Sequence, residues 1–370
     1  MDENFKLVTE IFMNNSSTAN AYYKRQVDYA KLAFQKNNLM PRRYVLVLTN
    51  LCNLKCTFCF QERKKRADRM TTEDWIKVIN QIPKNSRITL TGGDPFMFKD
   101  FETIFSKANE VAETNMITNG LLLSDQKIEK LLDEENFKVL AISIDTMGNV
   151  NRDVTKPQWE KLLKQLELFN FLRNKKNKKT ALDIKTVILD ENIDDLFEIH
   201  KFATQTLKAD THSFMLLKGA EIQHSDLMFN FEQIDKKTDA YEYKKFDKLI
   251  EQLNVIKEYD FKNGCKSYLH PTLANFEKRE KFKKENLMHL NNKNHDSKHF
   301  STCYSPWGCV YINVDGSLFP CMAVSMGNVK TTKLSEIIFS DKFKKFKDII
   351  RQKGTINGCN RCGYLKPKEV

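Results

Sequence analysis

No apolar run in this 370-residue chain approaches the roughly 18–20 residues that a membrane-spanning helix needs. The N-terminus, MDENFKLVTEIF, has early acidic residues and no long apolar stretch, so it does not read as a secretory signal. These two absences argue for a cytoplasmic protein with no membrane partner. Repeats at solenoid periods and low-complexity linkers are missing as well. What the chain does have is 41% apolar and 29% charged residues, enough to bury a core and to exclude wholesale disorder. Its length suits two domains. The net charge of +12 suggests an acidic partner, although lysines spread along the whole chain fit a solvated basic surface equally well. The lack of an aromatic–basic recognition motif argues against nucleic acid. Nine cysteines without an export signal argue against a disulfide scaffold and for metal or redox chemistry.

Strand-like and helix-like segments alternate between residues 44 and 216. Apolar or β-branched runs occur at Tyr44–Thr49, Arg87–Thr91, Asn115–Thr118, Val139–Ile144, Asp183–Leu189 and Thr211–Leu216. Stretches with apolar residues at three- and four-residue spacing lie between them, such as Thr72–Ile82, Ser124–Leu132, Trp159–Phe171 and Ile193–Leu207. Thr71 with Glu73 and Asp74 reads as an N-cap and acidic first turn. Six strand–helix units imply a parallel sheet and are too few for a closed eight-stranded barrel, so an α/β partial (β/α)6 barrel is expected.

Residues 1–43 read as an N-terminal docking helix with Val27, Ala30 and Phe34 on one apolar face, ended by Pro41. Residues 217–300 read as a helical connecting region without a clear strand, and the run Lys278–Lys284 as a solvated face. Residues 301–370 form a small last domain: Val310–Val314, a two-residue turn at Asp315-Gly316, a return at Ser317–Phe319, and one amphipathic helix over Lys333–Arg351. His289, His295 and His299 are irregularly spaced and suggest no metal.

Directly after the first strand comes Cys52-x3-Cys56-x2-Cys59. Three thiolates within eight residues can converge on one centre. Zinc would be under-coordinated by three cysteines without a nearby histidine, whereas an iron–sulfur cube held by three leaves one iron open. The loop also sits at the carboxyl end of a parallel strand, where α/β folds place chemistry.

This loop, with Phe58 before its last cysteine, resembles the signature of the radical S-adenosylmethionine (SAM) superfamily. Gly92-Gly93-Asp94-Pro95 after the second strand is similar to the family's GGEP segment, with Asp in place of Glu. Asn119, Ser143 and Asp145 follow at the ends of the third and fourth strands, and Lys185 lies on the fifth. The resemblance implies a [4Fe-4S] cluster on Cys52, Cys56 and Cys59, its open iron chelating SAM. Phe58, Gly92, Gly93, Asp94, Pro95, Asn119, Ser143, Asp145 and Lys185 would then be SAM contacts, Lys185 toward the carboxylate. The implied chemistry is reductive cleavage of SAM to a 5′-deoxyadenosyl radical that abstracts a substrate hydrogen. An acidic electron donor such as flavodoxin or ferredoxin would suit the basic surface.

The last domain holds Cys303, Cys309, Cys321 and the Cys359-x2-Cys362 knuckle. On spacing alone zinc would fit this set. Beside a radical SAM core, however, Cys303-x12-Gly316-x4-Cys321 resembles the opening of the SPASM/twitch extension. The chain ends eight residues beyond Cys362, so one auxiliary [4Fe-4S] cluster is expected on Cys303, Cys321, Cys359 and Cys362, with Cys309 an alternative ligand. Cys265 belongs to neither set. It is a buried residue or a hydrogen-atom donor over the barrel mouth.

The resemblance implies oxidation, epimerisation or cross-linking of a peptide or a small carbohydrate-like molecule. Forty-three residues before the first strand are few for a leader-binding domain, which favours the small molecule or a separately delivered peptide. The competing reading is a non-catalytic zinc- or cluster-bearing module whose basic surface binds RNA or another polyanion.

Overall fold

Alternation within each strand decides which face meets the helices. The computed structural model describes residues 19–59, 69–217, 241–265, 267–269, 283–321 and 324–368. Its strands are β1 (Arg43–Val47), β2 (Arg87–Thr91), β3 (Glu113–Thr118), β4 (Phe137–Ser143), β5 (Ala181–Ile188), β6 (Thr211–Leu216), β7 (Ser267–Leu269), β8 (Cys309–Ile312), β9 (Ser317–Phe319) and β10 (Gly327–Asn328). They form one sheet in the order β10-β9-β8-β1-β2-β3-β4-β5-β6-β7. From β8 through β7 every pairing is parallel, and the β8-β9-β10 edge is antiparallel. The linear order leaves the barrel partial.

Tyr44, Leu46, Ile88, Leu90, Met116, Leu140, Ile142, Leu182, Ile184, Val310 and Ile312 bury one face against the helices. The alternate residues, including Arg43, Arg87, Asn115, Asp183, Lys185 and Ser213, therefore line the concave lumen. Polar groups there hold one another. Arg87 Nε and Thr89 Oγ1 donate to Asn115 Oδ1 at 2.9 and 2.8 Å, and Thr211 and Ser213 hydroxyls donate to Asp183 Oδ1 at 2.9 and 2.8 Å.

The crossover helices follow from capping and stripes. The Thr71 hydroxyl accepts from Asp74 N and Thr71 N donates to the Asp74 carboxylate, so Thr72–Ile79 starts with a capping box and buries Trp75, Val78 and Ile79. Each of these contributes roughly 1.5–3 kcal/mol by burial. The helix Phe101–Val111 buries Ile104, Phe105 and Ala108 between β2 and β3.

Four local expectations change. The short strand β7 lies in the region read as strandless and extends the sheet beyond β6. The β8–β9 turn spans Asn313–Gly316, closed by Gly316 N on Asn313 O at 2.9 Å, with Gly316 at φ +86° in the left-handed region. The last helix is two helices, Leu334–Ile338 and Asp341–Lys353, because the Ser340 hydroxyl caps the second. In the helix Ala19–Lys36, Val27 is 41% exposed, while Ala30 and Phe34 pack inward. Phe34 meets Trp307 at 4.7 Å and Tyr304 at 4.9 Å. Most of the run Lys278–Lys284 lies outside the described residues.

His295 gives a pH signature. Burial pushes it down to about 4 from 6.5, and its Nε2 lies 2.7 Å from Thr355 Oγ1. Above pH 6.5 the ring is neutral in folded and unfolded chains alike. Between 6.5 and 4 the unfolded chain binds a proton that the folded one refuses, so stability is lost on acidification, by at most about 3 kcal/mol. Urea midpoints should fall from pH 7 to 4.5, and His295→Gln should flatten that fall. An unchanged slope would refute it.

Candidate functional site

The chain leaving β1 is fixed before it reaches the first cysteine. Leu48 N donates to Thr91 O at 2.9 Å, Gly93 N to Thr49 O at 2.6 Å and Asp94 N to Leu51 O at 2.8 Å. A Cβ on Gly92 would fall well inside contact with Thr49 O, and one on Gly93 with Leu51 O. The glycine pair is needed for this backbone approach. Asp94, expected to face a ligand, is fully buried and turned inward. Its carboxylate accepts from Phe96 N at 3.1 Å, Thr118 Oγ1 at 2.6 Å and Asn119 N at 3.0 Å. Burial raises its pKa, and these bonds work against that. Pro95 opens the turn that Asp94 caps.

Cys52, Cys56 and Cys59 are in no disulfide and pack beside Leu54, Phe58, Leu121, Val154 and Trp159. Cys52 Sγ accepts from Leu54 N at 3.4 Å and from Asn119 Nδ2 at 3.7 Å, and the same amide reaches Asn53 Oδ1 at 2.8 Å. Burial raises the Cys52 and Cys56 thiol pKa values, and Arg152 opposes it at Cys56.

Arg152 was not legible in the sequence. Its Nη1 lies 3.7 Å from Cys56 Sγ and its guanidinium 5.2 Å from the Phe58 ring centre. Asp145 Oδ2 holds its Nε at 2.5 Å. Fully buried Asp145 is itself fixed by Val187 N at 2.7 Å, Asn149 Oδ1 at 2.9 Å and Asn192 Nδ2 at 2.8 Å. Arg152 lies within an irregular turn with Asn149 and Asp153 in the left-handed region, and no periodicity or motif marks it. Ser143 is half-buried at the end of β4, and its carbonyl accepts from Asn149 Nδ2 at 3.0 Å. Lys185, beside Ser143 in register, makes an ion pair with Asp183 at 2.8 Å within the lumen.

The donor set suits an iron–sulfur cluster, whose sulfurs are stabilised by N–H donors and nearby positive charge. Among the described residues no three His, Cys, Asp or Glu close tightly enough for a single ion.

The C-terminal thiols gather around one another. Cys303, Cys321 and Cys362 all bear on Cys359, and burial drives the Cys303 and Cys359 pKa values up, with the neighbouring thiols adding to the rise. The knuckle is closed by Cys362 N on Cys359 O at 2.9 Å, and Ile356 N donates to Cys359 Sγ at 3.4 Å. Cys303 N bonds to Gly354 O at 2.9 Å. Cys309 instead has its sulfur against the Tyr311 and Tyr364 hydroxyls. Four half-buried thiols, with no carboxylate named among the groups bearing on Cys303 and Cys359, also fit a cluster.

Cys265 does not reach the barrel mouth. It follows the helix Phe246–Asn263 and directly precedes β7, whose first residue pairs with His212 near the start of β6. It therefore lies at the amino-terminal rim, opposite the Cys52–Cys59 loop, and the donor role falls away.

Comparison with known proteins adds the following. The chain matches the model described as the Radical SAM superfamily over residues 46–203, and that of the SPASM iron–sulfur cluster-binding domain over residues 303–363. It is 34% identical over 119 residues to the sporulation killing factor maturation protein SkfB of Bacillus subtilis (strain 168), which covers 31% of this chain and 29% of SkfB. It is 27% identical over 195 residues to GTP 3′,8-cyclase of Clostridium perfringens (strain 13), covering 50% and 54%. The chain thus spans between under a third and about half the length of these relatives. Streptococcus suis SuiB bound to precursor peptide SuiA shares the fold, with TM-score 0.59 and 18% identity over 89% of this chain and 70% of that one. So does anSMEcpe with bound AdoMet, with TM-score 0.59 and 16% identity over 89% and 93%.

Replacing Gly93 by Ala should push Leu51 away and displace Cys52. The expected result is loss of iron from the first site, measured by metal analysis, with the circular dichroism spectrum retained. Full iron content in that variant would refute the role given to the close approach.

Proposed function

Because the chain belongs to the radical SAM superfamily and carries a C-terminal SPASM domain, we propose that it oxidises a peptide side chain by radical chemistry. The observation that carries the reading is the thiol loop Cys52–Cys59 at the carboxyl rim, with Arg152 beside it and the polar lumen beneath. The peptide assignment draws on the names of SkfB, a killing-factor maturation protein, and of SuiB bound to its precursor peptide.

Cys52, Cys56 and Cys59 would hold the cluster, which would supply the electron for reductive cleavage of the SAM sulfonium to methionine and a hydrogen-abstracting 5′-deoxyadenosyl radical. The residues of this chain do the positioning. Asp145 aims Arg152 across Phe58 toward Cys56, and we assign to Arg152 the carboxylate contact expected of Lys185, which Asp183 already engages. Asn119 steadies Cys52, and Gly92 and Gly93 hold the loop against β2. Cys303, Cys321, Cys359 and Cys362 are the proposed auxiliary ligands. Net loss of two hydrogens balances as one hydrogen atom to the radical, one proton to solvent and one electron to the auxiliary site.

Anaerobic reconstitution should yield about eight irons per chain, as two four-iron clusters hold. Cys56→Ala should keep about half of them and form no 5′-deoxyadenosine under strong reductant. With SAM, a peptide fraction should yield a product two hydrogens lighter, and a small-molecule fraction should not. SAM cleavage undiminished in Cys56→Ala would overturn the site, and turnover confined to the small-molecule fraction would overturn the substrate class.

A further inference from the structure

The lumen side of β1 and β8 carries a polar array that the proposed reaction leaves unused. The parallel register pairs Arg43 with Cys309 and Val45 with Tyr311. Tyr44, Val310 and Ile312 face the helices, so Arg43, Cys309 and Tyr311 share the opposite face. Arg43 Nη1 donates to the Tyr364 hydroxyl. Tyr364 lies two residues past Cys362, in a turn closed by Leu365 N on Cys362 O at 3.0 Å. The hydroxyls of Tyr311 and Tyr364 both reach the Cys309 sulfur, and Cys362 lies within electrostatic range of all three. Phenols are protonated at neutral pH and can act as donors, and the guanidinium is the charge of the array.

This arrangement has a direct electrostatic consequence. A cluster held by four thiolates is anionic and becomes more so on reduction. A guanidinium and its hydrogen-bonded phenol behind one ligand stabilise the reduced form more than the oxidised one, and in a buried setting that preference is weakly screened.

We propose that Arg43, acting through Tyr364, raises the reduction potential of the auxiliary cluster and so fits it to take an electron from the lumen. The inference rests on the proposed reading of Cys303, Cys321, Cys359 and Cys362 as auxiliary ligands. Arg43 and Tyr364 are positioning residues, since neither touches a reacting atom.

The test is a redox titration of the reconstituted full-length protein followed by electron paramagnetic resonance, with iron content measured alongside. In Arg43→Met the reduced-to-oxidised ratio of the auxiliary cluster at fixed potential should fall about tenfold, about 59 mV for a one-electron couple. The SAM-cleaving cluster should not move. Arg43→Lys, which keeps the charge, should restore most of the potential, and Tyr364→Phe should fall between. An unshifted auxiliary midpoint in Arg43→Met would overturn the proposal, as would equal shifts of both clusters. If Arg43→Met fails to load its second cluster, an unshifted Tyr364→Phe overturns it. A wild-type chain with about four irons and one signal would overturn the auxiliary reading itself, which the iron count distinguishes from a failure of tuning alone.

Discussion

The parallel pairing of β8 with β1 is the constraint on which the rest depends. It joins a strand from residue 309 onward to the first strand of the barrel, across the longest sequence separation in the sheet. Chain-closure entropy disfavours such a contact. The apolar residues Val310 and Ile312, fully buried beside Tyr44 and Leu46, offset it. Once the pair forms, the C-terminal cysteines are built onto the barrel wall rather than tethered to it. The helix Ala19–Lys36 then seats on the same edge through Phe34, Trp307 and Arg351, whose guanidinium lies 4.2 Å from the Phe34 ring centre.

The opposite edge is held by a buried polar chain. Thr186 Oγ1 donates to Ile144 O at 2.5 Å, so it must accept from His212 Nε2, at 2.8 Å. Burial and the nearby His200 and Lys185 drive the His212 pKa well down, which keeps the ring neutral with its one proton on Nε2. Its Nδ1 accepts from His200 Nδ1 at 3.1 Å, and His200 Nε2 faces Asp260 Oδ1 at 2.9 Å. Asp260 also receives Ser267 N at 3.0 Å, the first residue of β7. Every member of this chain is satisfied, which is what makes a buried polar network tolerable. It explains how a three-residue strand stays in place.

The sequence made much of this legible for identifiable reasons. The ends of β2 and β6, at Thr91 and Leu216, follow from β-branched runs, and Thr71 declared its helix by the Asp74 three residues on. The thiol loop was readable because cysteine spacing is local. What was not legible depends on distant partners. β7 is too short to show alternation, and it exists because Asp260 and β6 receive it. Arg152 needed Asp145 and Cys56, which lie 7 and 96 residues away. Asp94 looked like a ligand contact from its motif, yet its acceptors are occupied by β3. Cys265 looked like a mouth residue from its place between two domains, whereas the strand direction puts it at the other rim. The polarity of the lumen was not legible because a charge at a strand start, such as Arg43 or Arg87, does not by itself declare which face it takes.

The knuckle Cys359-x2-Cys362 links the end of β6 to the start of β1. Its intervening Arg361 is 1% exposed and sits in the left-handed region at φ +49°. Its guanidinium donates to Leu290 O at 3.0 Å and to Leu217 O and Asn291 O at 3.4 Å, and lies 5.2 Å from the Tyr243 ring centre. Tyr243 in turn donates to Ile188 O at 2.9 Å and accepts from Leu217 N at 2.6 Å, at the ends of β5 and β6. On the other side Tyr364 meets Arg43 at the start of β1. The short segment from Arg361 to Tyr364 thus holds Leu217, just past β6, with one side chain and Arg43 of β1 with the other. A strained backbone at Arg361 persists only because its surroundings over-determine it, and those surroundings are Leu217, Leu290, Asn291 and Tyr243. The half-buried thiols of the knuckle are consequently held between the end of β6, through Arg361, and the start of β1, through Tyr364.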